Sequence, residues 1–326
     1  MDIDIWRTHQ FYFLICLILW LGHLLWKKDK SVALALAYVL LNAVFTFNGN
    51  FSWGTEIQKT IDYSSAVAFG SSTLLAFIFI AAPQRNVAVM FFFLECVAVI
   101  DAILILIYGF GIFNVGTMDT TFLAIMVPGM LRLGWPGLII ASFFISTITT
   151  HGQVMAVATL VGAIMGYLLL KKKSAFWILI VIATITLWQI YPQLDPTSRP
   201  IEWKRFMDFW WENSNHLFGA GAGSFQWLGP DLQLKAGMTK DIYVSGMHND
   251  HLQLIFEYGF VGYGLLAIVF CRALWKSRRE AWLFSSLCAF AVAMIGYYPL
   301  QFLASQIALF CYLRMAIDRR SVTTFW

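Results

Sequence analysis

The sequence predicts an all-α polytopic membrane protein of about eleven transmembrane helices, with one large extracytoplasmic loop that carries an amphipathic helix. Three observations predict it. Sixty per cent of the residues are hydrophobic and only 12% are charged, too apolar a balance for a water-soluble globule of this length. The apolar stretches approach the roughly 20 residues that a crossing helix needs, and short polar punctuation separates them. No long stretch alternates apolar with polar residues, as the strands of a membrane β-barrel would.

The candidate spans are 9–26, 31–47, 63–82, 87–110, 118–134, 136–150, 153–170, 175–192, 251–271, 281–298 and 301–316. Asp2 and Asp4 stand where a cleavable signal would be basic, and no small-residue cleavage site follows the first span, so that span is expected to be retained. Pro128-Gly129 splits the fifth span, which is expected to be broken or re-entrant; ten and twelve crossings are the neighbouring counts. Glu95 and Asp101 are intramembrane acids in the fourth span. Six residues apart, they point to different sides of a helix and form no dyad. Arg132 and loop groups are the candidate partners.

Charge orients the bundle. With the chain alternating sides, fifteen Lys and Arg residues fall in one set of loops and seven in the other, five of those seven in the single long loop 193–250. Long loops count little in the positive-inside rule, so 193–250 faces away from the cytoplasm and the C-terminus lies inside. This topology accounts for the net charge of +4 without a nucleic-acid partner. Cys16, Cys96, Cys271, Cys288 and Cys311 all lie in or beside apolar spans, with no metal-ligand spacing and none in the external loop. They read as packing residues.

The loop 193–250 is the soluble segment large enough for chemistry. Arg199 to Glu212 reads as a helix with Pro200 in its first turn. Trp203, Phe206, Met207 and Trp210 recur at helical spacing on one aromatic face, opposite Glu202, Arg205, Asp208 and Glu212. Such a helix is expected to lie flat among the headgroups, where a purely structural role would suffice. Phe218-Gly219-Ala220-Gly221-Ala222-Gly223 follows. Gly219 and Gly221 can expose backbone N–H groups to a phosphate. However, no strand precedes them, and a turn needing positive φ explains them equally.

His248-Asn249 closes the loop, immediately before the span 251–271. Asn249 or Asp250 can cap that helix, and a histidine here can be a satisfied polar group or a titrating base. His251 shares a face with His248 if the helix starts early, but a metal site would need a third ligand, for which only Asp250 offers itself. Glu257, about two turns further on, must be paired, protonated or turned toward a polar cavity. Gly259 and Gly262 allow close backbone approach.

These residues resemble the O-antigen ligase superfamily of bacterial envelope proteins, which comprises ligases, O-antigen polymerases and O-linked oligosaccharyltransferases. The hallmark of that family is His followed by Asn, Ser or Gln, then nine residues, then Gly-x-x and a Gly, Thr or Tyr; His248-Asn249 with Gly259-Phe260-Val261-Gly262 has this form, with Glu257 in its usual place. Arg199, Trp203 and Phe218-Gly219-Ala220-Gly221 match the family's upstream pattern in order and spacing. The likeness is densest over 195–275 and extends from about 115. The family often carries a Ser-Arg pair before the seventh span; here Thr150-His151-Gly152-Gln153 stands in its place, with His151 as a weak substitute.

The resemblance implies a membrane glycosyltransferase in the bacterial inner membrane, with its large loop in the periplasm. It would pass a glycan from an undecaprenyl-pyrophosphate carrier to a hydroxyl of lipid A-core or of a growing glycan. Arg199 and Arg205 would neutralise the pyrophosphate, since guanidinium binds phosphate oxygens bidentately. His248 would act as base or orient the acceptor. Trp203, Asn249, His251 and Glu257 complete the implied substrate site. The arginines make a metal or other cofactor unnecessary, and the loop has no Asp-x-Asp pair to hold a metal. The rival reading is a transporter or lipid-glycan translocase whose path is lined by Glu95, Asp101 and Glu257. Inverted repeats would favour it, and none is evident.

Overall fold

A computed structural model describes residues 84–109, 111–112, 116–151, 154–172, 199–213, 216–220, 225, 247–296, 299–301 and 303–318. The expected spans 9–26, 31–47, 63–82 and 175–192 lie outside the described residues, as do most of the loop 193–250, Cys16 and Gly221. Every regular element among the described residues is helical: α1 (Gln84–Tyr108), α2 (Gly116–Met130), α3 (Trp135–His151), α4 (Val154–Lys171), α5 (Arg199–Asn213), α6 (Asp250–Ser277), α7 (Ala281–Gly296) and α8 (Leu303–Asp318). Val87–Tyr108, Val154–Lys171 and Asp250–Ser277 are long and apolar enough to cross a membrane, and two shorter apolar helices lie at Ala281–Gly296 and Ala304–Ile317. This is an all-α membrane protein.

The chain divides into two compact units, one of Met1–Ala82, Trp203–Met247 and His251–Phe270, the other of Pro83–Glu202, His248–Asp250 and Cys271–Trp326. In the second unit, α1 buries Val87, Phe91, Leu94, Ala98, Ala102 and Ile105, one side chain every three or four residues. Its other side exposes Val89, Phe92, Phe93, Ile100 and Ile107, an apolar surface suited to lipid. Helix α2 is covered all round, with Phe122 to Val127 buried in succession. Gly162 and Gly166 bring α4 against α7: an added Cβ would meet Val292 Cγ2 at 2.6 Å from the first and Cys288 Cβ at 2.8 Å from the second. Small residues at one-turn spacing are how membrane helices approach closely.

One expectation needs revision within this unit, and another is made definite. Helix α2 runs through Pro128 without breaking and ends at Met130, in a 3-10 turn of Leu131–Leu133. Proline removes one helical donor, but neighbouring helices can supply polar groups where water cannot. The Tyr312 hydroxyl donates to the Ile125 carbonyl at 3.1 Å, one residue from the carbonyl that Pro128 leaves without its helical donor. The intramembrane acids also find definite partners. Arg132 meets Glu95 through two contacts, Nη2 to Oε2 at 2.7 Å and Nε to Oε1 at 3.3 Å, and its guanidinium lies 5.2 Å from the Phe91 ring centroid.

In the other unit, α5 forms where the aromatic periodicity placed it. Protein covers the middle of its aromatic face, while Trp203 and Met207 stay half-buried. Phe206 and Trp210 are fully buried with Ala220, Phe225, Met247 and Phe256. Phe225 sits edge-on to Phe206 at 5.1 Å and to Phe256 at 5.3 Å. An amphipathic pattern reports that one face leaves water without saying whether lipid or protein receives it. Here protein does.

Candidate functional site

The site is built around a break in α6. At Gly259 the backbone leaves helical geometry (φ 65°, ψ −176°), a conformation essentially reserved for glycine. The break strands the hydrogen-bonding groups of the adjoining turns, and the segment 216–220 takes them up. Phe260 N–H donates to His216 O at 2.9 Å and Val261 N–H to Leu217 O at 3.1 Å. In return, Phe256 O accepts from Ala220 N–H at 2.8 Å and from the Trp210 indole at 3.1 Å. The two chains cross at Gly219 and Gly259: a Cβ on Gly219 would lie 2.5 Å from Glu257 O, and one on Gly259 would lie 2.6 Å from Gly219 N.

Gly219 itself has φ 76°, the turn geometry that its glycine-rich stretch suggested. It is buried against Glu257, and packing accounts for its lack of a side chain. The nine residues between Asn249 and Gly259 thereby acquire a structural meaning. They are the helical segment before the break, rising roughly 13 Å. Beyond it, Gly259–Ser277 rises roughly 28 Å, close to a hydrocarbon thickness.

At the start of this segment Met247 is held on both sides of its backbone. The Trp203 indole N–H donates to Met247 O at 2.6 Å. Met247 N–H donates to Gln253 Oε1 at 3.3 Å, and Gln253 Nε2 donates to Glu257 Oε1 at 3.0 Å. The geometry extends the capping-box idea: a side chain inside the first turns reaches back to a donor that the helix cannot satisfy. Glu257 is buried, and Gln253 is the partner its position demanded.

The next residue is His248, half-buried, with φ 51°, the one non-glycine residue at positive φ among those described. Histidine enters this region more readily than most side chains, but it still needs surrounding structure to hold it there. Asn249 and Asp250 are buried, and α6 starts at Asp250. The Asp250 Oδ2 accepts Leu300 N–H at 2.8 Å. His251 faces along the helix, its Nδ1 3.0 Å from the Tyr263 hydroxyl.

Arg205 lies half-buried on α5, and among the described residues it makes no ion pair. Lys204 instead pairs with Asp208 in the open. Arg199 opens α5. His151 is exposed at the end of α3. Gly221 lies outside the described residues. Trp203 bonds Met247 directly and Glu257 reaches it through Gln253, whereas His151 belongs to a different helix of the other unit.

Sequence reasoning missed Gln253, although a Gln-Glu pair at i,i+4 on one helix face is a readable signal. It also missed Asp119. Asp101 Oδ1 accepts Ile112 N–H at 2.6 Å, while Asp119 Oδ2 accepts Gly111 N–H at 3.3 Å, so two buried acids from α1 and α2 tie down the turn between them. Among the described residues no three His, Cys, Asp or Glu side chains cluster as a metal site would require, and Cys96, Cys271, Cys288 and Cys311 are free thiols.

Comparison with known proteins adds no name to this geometry. The chain matches no family model, and no curated protein matches it. Its reading rests on the residues themselves.

Proposed function

We propose that the protein is a membrane glycosyltransferase of the O-antigen ligase or polymerase type. It transfers a glycan from undecaprenyl pyrophosphate to an acceptor hydroxyl at the periplasmic face of a bacterial inner membrane. The observation that carries this reading is His248: a titratable side chain at positive φ, directly before α6, following a residue gripped by the arginine-bearing helix α5. In the reaction, the acceptor hydroxyl gives its proton to the His248 imidazole as its oxygen bonds to the anomeric carbon. The bond from that carbon to the pyrophosphate oxygen breaks, and the electron pair leaves with the polyprenyl pyrophosphate. Arg199 and Arg205 offset the charge that develops there. Asn249 fixes the imidazole tautomer or binds sugar.

The transporter reading needs acids free to line a path. Glu95 is instead engaged by Arg132, Asp101 by Ile112 N–H and Glu257 by Gln253. The test is complementation of a deletion strain, read as glycan ladders on a gel. His248→Ala and Arg199→Ala are expected to abolish transfer while inserting normally; full activity in both would refute the enzyme reading. Loss of all core-attached polymer indicates a ligase, and retention of a single repeat unit indicates a polymerase.

A further inference from the structure

We propose that Gln253 is a positioning residue for His248, acting through the backbone of Met247; this rests on the transferase reading above. The positive φ of His248 is set by rotation about the bond that follows the Met247–His248 peptide, so the orientation of that peptide fixes where the imidazole is carried. Trp203 holds the carbonyl of that peptide, and Gln253 holds the N–H of the peptide before it, so the two fix Met247 on both sides of its Cα. Gln253 is in turn oriented by Glu257, whose accepting oxygen dictates that the amide nitrogen points toward it and the amide oxygen toward Met247. The break at Gly259 lies two residues beyond Glu257, and there the 216–220 segment anchors the far end of the same helical piece. The piece is therefore pinned at both ends. A strained backbone position persists when its surroundings over-determine it, and this arrangement does so one residue before the proposed base.

The chemistry makes the effect specific. A general base must stand within hydrogen-bond reach of the proton it removes, and a displacement of about 1 Å can cost on the order of 100-fold in rate. Loss of the clamp should therefore lower kcat and leave donor binding, which falls to the arginines, nearly unchanged.

The experiment uses the purified full chain in nanodiscs, with a polyprenyl-pyrophosphate-linked glycan as donor and its acceptor. His248→Ala is measured alongside Gln253→Ala, Trp203→Phe and the exchange pair Gln253→Glu with Glu257→Gln. Gln253→Ala is expected to lose roughly 10- to 100-fold in kcat with a donor KM within about threefold of wild type. Trp203→Phe keeps an aromatic ring but removes the indole donor to Met247 and part of the side chain's volume; its kcat is expected to fall as well, and it tests the clamp even if Gln253→Ala fails to fold. The exchange pair reverses donor and acceptor between positions 253 and 257 yet leaves an oxygen for Met247 N–H, so it should recover most of the kcat. An inactive His248→Ala beside wild-type kcat in Gln253→Ala and Trp203→Phe would overturn the positioning role alone. A raised KM with unchanged kcat, or no recovery in the exchange pair, would do the same. Full activity in His248→Ala would instead overturn the transferase reading beneath it.

Discussion

Replacing Gly259 by alanine should destabilise the protein more than any other glycine-to-alanine change within α6. The new Cβ would stand 2.5 Å from Leu217 C and 2.6 Å from Gly219 N, both backbone atoms that cannot swing aside. At φ 65° and ψ −176° the side chain would also sit in a region that costs of order 1–3 kcal/mol for a non-glycine residue. If the crossing opens to relieve the overlap, one or two of its hydrogen bonds are lost, at about 1 kcal/mol each. Together these give roughly 2–5 kcal/mol. At about 2 °C per kcal/mol for a chain of this size, the melting temperature should fall by roughly 4–10 °C. Gly264 is the internal control, because nothing lies within 4 Å of its Cβ position. There, alanine should be neutral or stabilising by up to about 1 kcal/mol. The assay is thermal unfolding of the detergent-solubilised chain, followed by loss of the monodisperse peak. Equal melting temperatures for Gly259→Ala and wild type would refute the crossing as described.

Further consequences are open to measurement. Arg132→Ala alone should cost about 3–5 kcal/mol because it strands buried Glu95, whereas replacing both partners by apolar residues should cost less; melting of the two single variants and the double tests this. Trp210→Ala removes a fully buried ring and an indole donor, so a loss of about 3–5 kcal/mol is expected in the same melting assay. Lys204→Ala breaks only an exposed i,i+4 pair and should shift stability by less than about 0.5 kcal/mol in the same assay. For topology, a cysteine placed at exposed Glu212 should react with a membrane-impermeant maleimide in intact spheroplasts. One at exposed Arg279 should react only after permeabilisation. The reverse pattern would invert the assigned orientation.

The helices were readable because hydrophobic runs and their polar punctuation follow from the bilayer's thickness. The expected spans 87–110, 136–150 and 153–170 fall within three residues of α1, α3 and α4 at every boundary. What escaped depends on pairing between elements. Pro128 looked like a break because a proline's cost is local, whereas the packing around α2, with Tyr312 bonded to the Ile125 carbonyl, comes from elements far away in the chain. Asp101 was weighed against Glu95 on its own helix, whereas its companion Asp119 opens the next. The aromatic face of α5 was legible as a face; its destination in protein was not, because lipid and core look alike to a hydrophobic stripe. At the site, the nine-residue spacing marked His248 and Gly259 together, and the break supplies the physical reason for it. Gln253 was passed over because a neutral amide attracts less notice than a charge, although it links Met247 to the one acid in that segment with no evident partner in the sequence.

The central claim is that His248 serves glycan transfer from a lipid pyrophosphate. Its most direct test is transfer of a radiolabelled glycan from polyprenyl pyrophosphate by the purified chain, wild type against His248→Ala, at equal amounts of folded protein. Wild type should release polyprenyl pyrophosphate in step with glycosylated acceptor, and the variant should be slower by roughly 100-fold or more, the usual scale of a lost general base. Transfer by His248→Ala at the wild-type rate, or none by wild type with any acceptor, would contradict the account.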